Sequence, residues 1–245
     1  MPATAEILAE IAAEAGGVVM RHYKAGSQPR FKSDRSPVTD ADEEAERLIL
    51  AALAKAFPGV PVVAEEEAAA GQVASVANRF FLVDPLDGTK EFISGNGEFT
   101  VNIGEVENGV PVAGAVFAPA ANRMFFGGAD GAFENGKPIT ARIAPKDGLV
   151  AVGSRSHADA ATTEFLKRWT VKDSVRIGSS LKFCLVAAGE ADIYTRGGPT
   201  MEWDTAAGHA VLRAAGGRVE TWTGEALRYG KPGFQNPAFV AYGRR

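Results

Sequence analysis

The feature that most constrains this chain is the stretch FFLVDPLDGT, residues 80–89. Four apolar residues, Phe80 to Val83, run into Asp84 and Pro85, and Asp87 follows three places after Asp84, with Gly88 and Thr89 behind it. A short apolar run bounded in this way reads as a buried strand. Pro85 has no amide hydrogen to give to a ladder, so the strand is predicted to end at Asp84. Gly88 permits a tight turn, and the amides of Gly88 and Thr89 then open a short helix, where exposed N–H groups suit an anion. Yet two carboxylates stand beside those amides. Held about 4 Å apart, they repel by roughly 4 kcal/mol at an effective dielectric near 20. Three arrangements answer this. The aspartates serve only as turn formers and caps, or one of them is protonated, or a hard divalent cation, magnesium above all, sits between them.

A strand like this needs a core around it. The chain has 245 residues, 46% of them hydrophobic, enough for one large domain or two small ones. Ile7, Leu8, Ile11 and Val18 mark an amphipathic helix over 4–20. A second helix is predicted over 40–56, with Thr39 as its cap, Pro58-Gly59 as its stop, and Ala45, Leu48, Ile49, Ala52 and Ala56 on one face. The polar segment 32–37 reads as a loop. Strands are expected at 60–64, ending on three glutamates, and at 80–83, 99–106, 112–117 and 124–127, with Asn108-Gly109 and Asn135-Gly136 as hairpin turns. Strands at 149–152, 175–177, 193–195 and 239–241 then alternate with helices at 159–169, 180–188 and 205–215. This predicts an α+β unit over 1–145 and a smaller α/β unit over 146–245.

Net charge is −4 with no basic stripe, which argues against broad nucleic-acid binding and leaves room for a small anionic ligand. Cys184 is the single cysteine, so no disulfide framework exists and a reducing compartment is expected. Glu6, Glu10 and Glu14 interrupt what would be the apolar core of a signal peptide, and no apolar run reaches the roughly 18 residues of a membrane span. A soluble cytoplasmic protein is expected, with no stable membrane insertion and with peripheral association at the inner membrane as the alternative.

Further acids fall at element ends: Glu65 after the strand at 60–64, and Asp204 before the Ala-rich helix. Alone, each has a plainer reading, a solvated face for Glu65 and an N-cap for Asp204. Taken together, AEE (64–66), DPLDGT (84–89), WDTAAG (203–208) and KSDRSPVTDAD (32–42) resemble the inositol monophosphatase superfamily of magnesium-dependent, lithium-sensitive phosphatases. That resemblance covers nearly the whole chain and implies a layered α-β-α-β-α fold. It implies metal ligation by Glu65, Asp84, Asp87 and Asp204 and by the backbone carbonyl of Leu86. Two or three magnesium ions, and a water oriented by Thr89 and Asp42 for direct in-line attack, are implied as well. By sequence alone Asp42 also fits a capping box with Thr39. Gly88 and Thr89 match a phosphate cradle, and Lys32 a lysine near the site. Homodimers are common in the superfamily, and no interface can be identified from these residues.

DPLDGTKEF, NGEFTVNI, SRSH, GSSLKFC and GPTMEWDTAAGHAV narrow the resemblance to the CysQ-type 3'(2'),5'-bisphosphate nucleotidases, which release the 3'-phosphate of adenosine 3',5'-bisphosphate as AMP forms. Ser154, His157, Ser180, Lys182 and Arg196 are then expected to bind the nucleotide, Arg196 by a bidentate phosphate contact. The alternatives are an inositol or sugar phosphate monoesterase on the same fold and a nucleotide-sensing protein without chemistry. Arg155 is expected to be solvated and Ser179 to cap a helix. Cys184, Trp203 and Trp222 are expected to pack, and His22 and His209 to be structural or surface residues.

Overall fold

The structure, a computed structural model, describes residues 3–26, 29–31, 37–155 and 159–244. Lys32 and His157 therefore lie outside the described residues, as does most of the predicted loop at 32–37. The first helix, α1 (Thr4–Ala25), is followed by a two-stranded ribbon of β1 (Arg30–Phe31) and β2 (Pro37–Val38) and by α2 (Asp40–Ala56). At the start of α2 the Thr39 hydroxyl accepts the Ala41 amide at 3.2 Å, and Asp42 Oδ2 accepts the Thr39 amide at 2.7 Å. The buried stripe of α2 is Ala41, Ala45, Ile49 and Leu53. Ala56 is exposed, on the predicted angular face but past the packed part of the helix.

A seven-stranded sheet follows in chain order: β3 (Val62–Ala64), β4 (Arg79–Asp87), β5 (Thr100–Glu107), β6 (Val110–Ala118), β7 (Arg123–Gly128), β8 (Gly131–Glu134) and β9 (Lys137–Ile139). Short helices α3 (Glu65–Ala69) and α4 (Thr89–Ile93) leave the ends of β3 and β4. β3 and β4 are parallel, and every other pairing is antiparallel. Both Asn-Gly turns form as predicted, with φ of 51° and 75° at Asn108 and Gly109 and of 46° and 75° at Asn135 and Gly136, the left-handed pair that a two-residue hairpin needs. β4 does not stop at Asp84. It continues to Asp87 through an irregularity, pairing Asp84 with Asn102 and then Asp87 with Thr100. Pro85 lies within that interruption of the ladder, where its missing N–H costs nothing.

The second sheet has the order β11-β10-β12-β14-β13, built from β10 (Leu149–Ser154), β11 (Val171–Ile177), β12 (Ile193–Arg196), β13 (Arg218–Thr221) and β14 (Phe239–Tyr242). Its helices are α5 (Ala160–Leu166), α6 (Leu181–Ala187) and α7 (Ala206–Ala214). β13, a short polar strand, was not expected; it pairs antiparallel with β14 and makes the sheet mixed. α5 is shorter than predicted, capped by Asp159, whose Oδ1 accepts the Thr162 amide at 2.6 Å.

Alternation along β4 divides the core. Phe81 and Val83 pack with α1 and α2, whereas Phe80 and Leu82 face α6, α7 and the inner side of the second sheet. Phe165 of α5 covers the outer side with Leu149, Ile193 and Val240. The result is the layered α-β-α-β-α architecture. Cys184 is buried in the central layer, and burial raises its thiol pKa. Trp203 lies against Phe234, and Trp222 stacks on Phe165 at 4.2 Å, so both pack as expected. Among the described residues no helix is long and apolar enough to cross a membrane.

The seat of α7 has a specific cause. Gly104, Gly114 and Gly127 are register partners on β5, β6 and β7 and form a row without side chains. A Cβ on Gly104 would meet the Ala207 nitrogen at 2.8 Å, and one on Gly114 would meet the Ala207 carbonyl oxygen at 2.6 Å. The Ala-rich face of α7 lies in this trench. Gly114→Ala should cost about 1–3 kcal/mol, lowering Tm by roughly 2–4 °C per kcal/mol in a chain of this size. An unchanged Tm in thermal unfolding would show that the row does not seat the helix.

Candidate active site

Strand pairing brings the first acids together. β3 and β4 run parallel with Ala64 opposite Val83, so Glu65 and Asp84 leave the same end of the sheet. The interruption in β4 turns Asp87 to the same side, and the α7 seat delivers Asp204 from the turn before that helix. Glu65, Asp84, Asp87 and Asp204 all line one pocket, together with Leu86, Gly88 and Thr89. Gly88, at φ 94°, precedes α4, and a Cβ there would come within 3.1 Å of the Glu98 carbonyl oxygen.

The acids act on one another. Burial pushes Asp84 well above the usual carboxylate range, and Glu65, Asp87 and Asp204 add to the shift. Asp204 is raised by burial, then by Asp87 and Glu65. Asp87 is raised by burial, with the Lys182 ammonium opposing. Each aspartate has one oxygen tied to its own donor: Asp84 Oδ1 to the Leu86 amide at 3.0 Å, Asp87 Oδ2 to the Ser180 hydroxyl at 2.7 Å, and Asp204 Oδ2 to the Met201 amide at 2.8 Å. Among the described residues no three acidic, His or Cys side chains close on a common centre. Carboxylates and a carbonyl around one pocket form an all-oxygen donor set, the chemistry of a hard divalent cation, whose charge would relieve their repulsion.

Asp42 touches the site through Thr89. Its Oδ2 holds the Thr39 amide and hydroxyl, each at 2.7 Å, while Oδ1 lies 3.4 Å from the Thr89 hydroxyl. Asp42 thus makes its capping-box contacts through Oδ2 and reaches Thr89 through Oδ1. Thr89 also lies 3.3 Å from the Leu86 carbonyl oxygen.

The same pocket also holds basic residues. Lys182 is buried, and burial lowers its ammonium to about 8 against the pull of Asp87. Its Nζ donates to the Ser179 carbonyl. Arg196 lines the pocket, and its Nε is buried without a hydrogen-bond partner among the described residues. Ser154 lines the same pocket.

Three residues carry more than the sequence suggested. Ser179 sits at φ 51°, a strained conformation for serine, and lines the pocket, while its Oγ accepts the Leu181 amide at 3.5 Å at the start of α6, as a capping serine would. Arg155 is not simply solvated, because it grips Glu98 through two hydrogen bonds of 2.7 and 2.6 Å. Glu98 also accepts the Gly178 amide at 2.8 Å, tying the turn before β5 to the turn before α6. Asn102 is fully buried beside Asp87 and Ser180. Its signal was an amide side chain inside the apolar strand TVNIGEV.

The inositol monophosphatase family profile matches residues 3–241. The chain belongs to the inositol monophosphatase family. Among curated family members, it is 44% identical over 239 residues to the 3'(2'),5'-bisphosphate nucleotidase CysQ of Salmonella typhimurium strain LT2, covering 96% of this chain and 97% of that protein. To the CysQ of Escherichia coli K12 it is 45% identical over 236 residues, 94% of this chain and 96% of that one. Its fold matches the crystal structure of CysQ from Bacteroides thetaiotaomicron with a TM-score of 0.82 at 36% identity, over 98% of this chain and 97% of that one. The Thermotoga maritima IMPase superposes at a TM-score of 0.80 with 28% identity, over 96% of this chain and 89% of that one.

His209 of this family member lies in α7 below the site, buried, with Nδ1 3.0 Å from the Tyr229 hydroxyl. Burial lowers its imidazole to about 3, against about 6.5 for an unfolded histidine. Between those values the unfolded chain holds the extra proton, so stability present above about pH 6.5 is lost on acidification. Relative to His209→Gln, the wild type should lose about 2 kcal/mol between pH 7 and pH 5. Denaturant unfolding at both pH values checks this, and parallel pH profiles would refute it.

Proposed function

We propose that the chain is a 3'(2'),5'-bisphosphate nucleotidase that hydrolyses the 3'-phosphate of adenosine 3',5'-bisphosphate to give AMP and phosphate. The observation that carries this reading is one pocket that gathers the four acids with Lys182 and Arg196, whose buried Nε has no hydrogen-bond partner among the described residues. A buried guanidinium nitrogen without an acceptor is costly unless a ligand supplies one. A monophosphate engages the acid wall through its cation and has no second anionic group for Arg196; a bisphosphate nucleotide has one. The identity to the CysQ nucleotidases supports the same reading.

Magnesium, two or three ions, is the proposed cofactor, held by Glu65, Asp84, Asp87, Asp204 and the Leu86 carbonyl. When bound, it supplies neutralisation of the ester phosphate, acidification of water and stabilisation of the leaving alkoxide. The Gly88 and Thr89 amides at the start of α4 face the transferred phosphate. Asp42 Oδ1 orients the Thr89 hydroxyl, and the pair aligns the attacking water in line with the departing 3'-oxygen. No covalent enzyme intermediate is needed. Lys182 and Arg196 hold the 5'-phosphate, and Ser154 and His157 are proposed to contact the nucleotide beside them. The Asp42–Thr89 pair weighs against a purely nucleotide-sensing role, since binding alone does not require it. A single buried cysteine suits a cytoplasmic enzyme.

Phosphate release measured in magnesium should favour adenosine 3',5'-bisphosphate over inositol 1-phosphate, and the reverse preference would overturn the nucleotide reading. Arg196→Ala should raise KM for the bisphosphate about 10- to 100-fold, the scale of a lost charged hydrogen bond, and leave turnover of inositol 1-phosphate little changed. Asp87→Asn should abolish turnover. Thr89→Ala should slow kcat by about 100-fold while cation binding, followed by calorimetry, persists.

A further inference from the structure

Ser180 was expected to contact substrate, yet its hydroxyl is engaged elsewhere. Its Oγ lies 2.7 Å from Asp87 Oδ2 and 2.6 Å from the Asp204 carbonyl oxygen, and the Asn102 side-chain nitrogen lies 3.0 Å from it. Asn102 Nδ2 is also 3.4 Å from Asp87 Oδ2. A carboxylate only accepts, so the amide must turn its nitrogen toward Asp87. The serine hydroxyl then accepts from Asn102 and has a single hydrogen for its other two neighbours, both acceptors. Asn102 is 0% and Ser180 2% exposed, so water does not substitute for these partners.

The four groups come from β4, β5, the turn before α6 and the turn before α7. They meet at one oxygen. We infer that Ser180 and Asn102 are positioning residues for the cation site: they hold Asp87 Oδ2 back, so that Asp87 presents Oδ1 to the pocket, and they fix the Asp204 main chain relative to Asp87. Ser180 thereby sets the spacing of two acids carried by different elements, β4 and the turn before α7, and it does not bind the nucleotide. This inference rests on the cation reading of the acid cluster given above.

Calorimetric titration of the substrate-free protein with magnesium, and with manganese as a second probe, tests it beside steady-state kinetics. In Ser180→Ala, cation affinity should fall about 10- to 100-fold, as when a ligand's outer partner is removed. KM for adenosine 3',5'-bisphosphate at saturating cation should stay within about twofold of wild type. Ser180→Thr keeps the hydroxyl and should restore much of the cation affinity. Asn102→Ala should weaken cation binding in the same direction, and it decides the question if Ser180→Ala does not fold. A wild type that binds neither cation would remove the cation reading itself. A wild type that binds, with Ser180→Ala (or, failing that, Asn102→Ala) binding equally well, would overturn this inference alone, as would a raised KM with unchanged cation affinity.

Discussion

The close approach of α7 to the row of Gly104, Gly114 and Gly127 is the constraint on which the rest of the structure depends. Those positions have no side chains, so the helix backbone comes within van der Waals contact of the sheet. The residues before the helix are fixed by the same contact. Asp204, with its neighbours Trp203 and Thr205, therefore reaches the rim where β3 and β4 end. A bulkier residue in the row would push the helix away from the sheet and move Asp204 with it. Packing at this point decides electrostatics in the turn just before the helix, because interiors pack densely and transmit small displacements.

The pocket gathers like charges and then manages them. Asp84, Asp87 and Asp204 are each raised by burial, and other acids add to the shift of Asp84 and Asp204. Each aspartate has one oxygen satisfied by an amide or a hydroxyl. Lys182 sits close enough to Asp87 to offset part of the repulsion. Clustering acids in this way costs stability, and strongly shifted carboxylates in a pocket are a common mark of functional sites. The Arg155–Glu98–Gly178 contact does related work beside the pocket, holding the turn that carries Ser179 and Ser180 against the turn before β5.

Much of the fold was legible in the sequence because its signals were local. Apolar periodicity gave α1 and α2, Asn-Gly pairs gave the hairpins, and Thr39 gave the start of α2. Where expectations failed, the deciding interactions lay elsewhere in the chain. Pro85 does not end β4, because its partner strand tolerates an interruption between Asn102 and Thr100. β13 is too short and polar to stand out, and it exists because β14 offers an edge. Lys182 has no local mark of burial; the layer formed by α6 between the two sheets encloses it.

The sequence by itself determined the chemistry available: acids at strand ends, a Gly-Thr turn with free amides, basic residues in the second half, and motifs of one phosphatase family. Those are properties of residue type and short spacing, and chain order preserves them. Only the tertiary structure decided which of these groups share a pocket and which oxygen of each aspartate is tied to a protein donor. It decided too that Ser180 and Asn102 lie on Asp87, whereas Arg155 turns to Glu98. Such outcomes depend on contacts between residues tens of positions apart, whose geometry is set by strand register and helix packing, and neither is written in any short stretch of the chain.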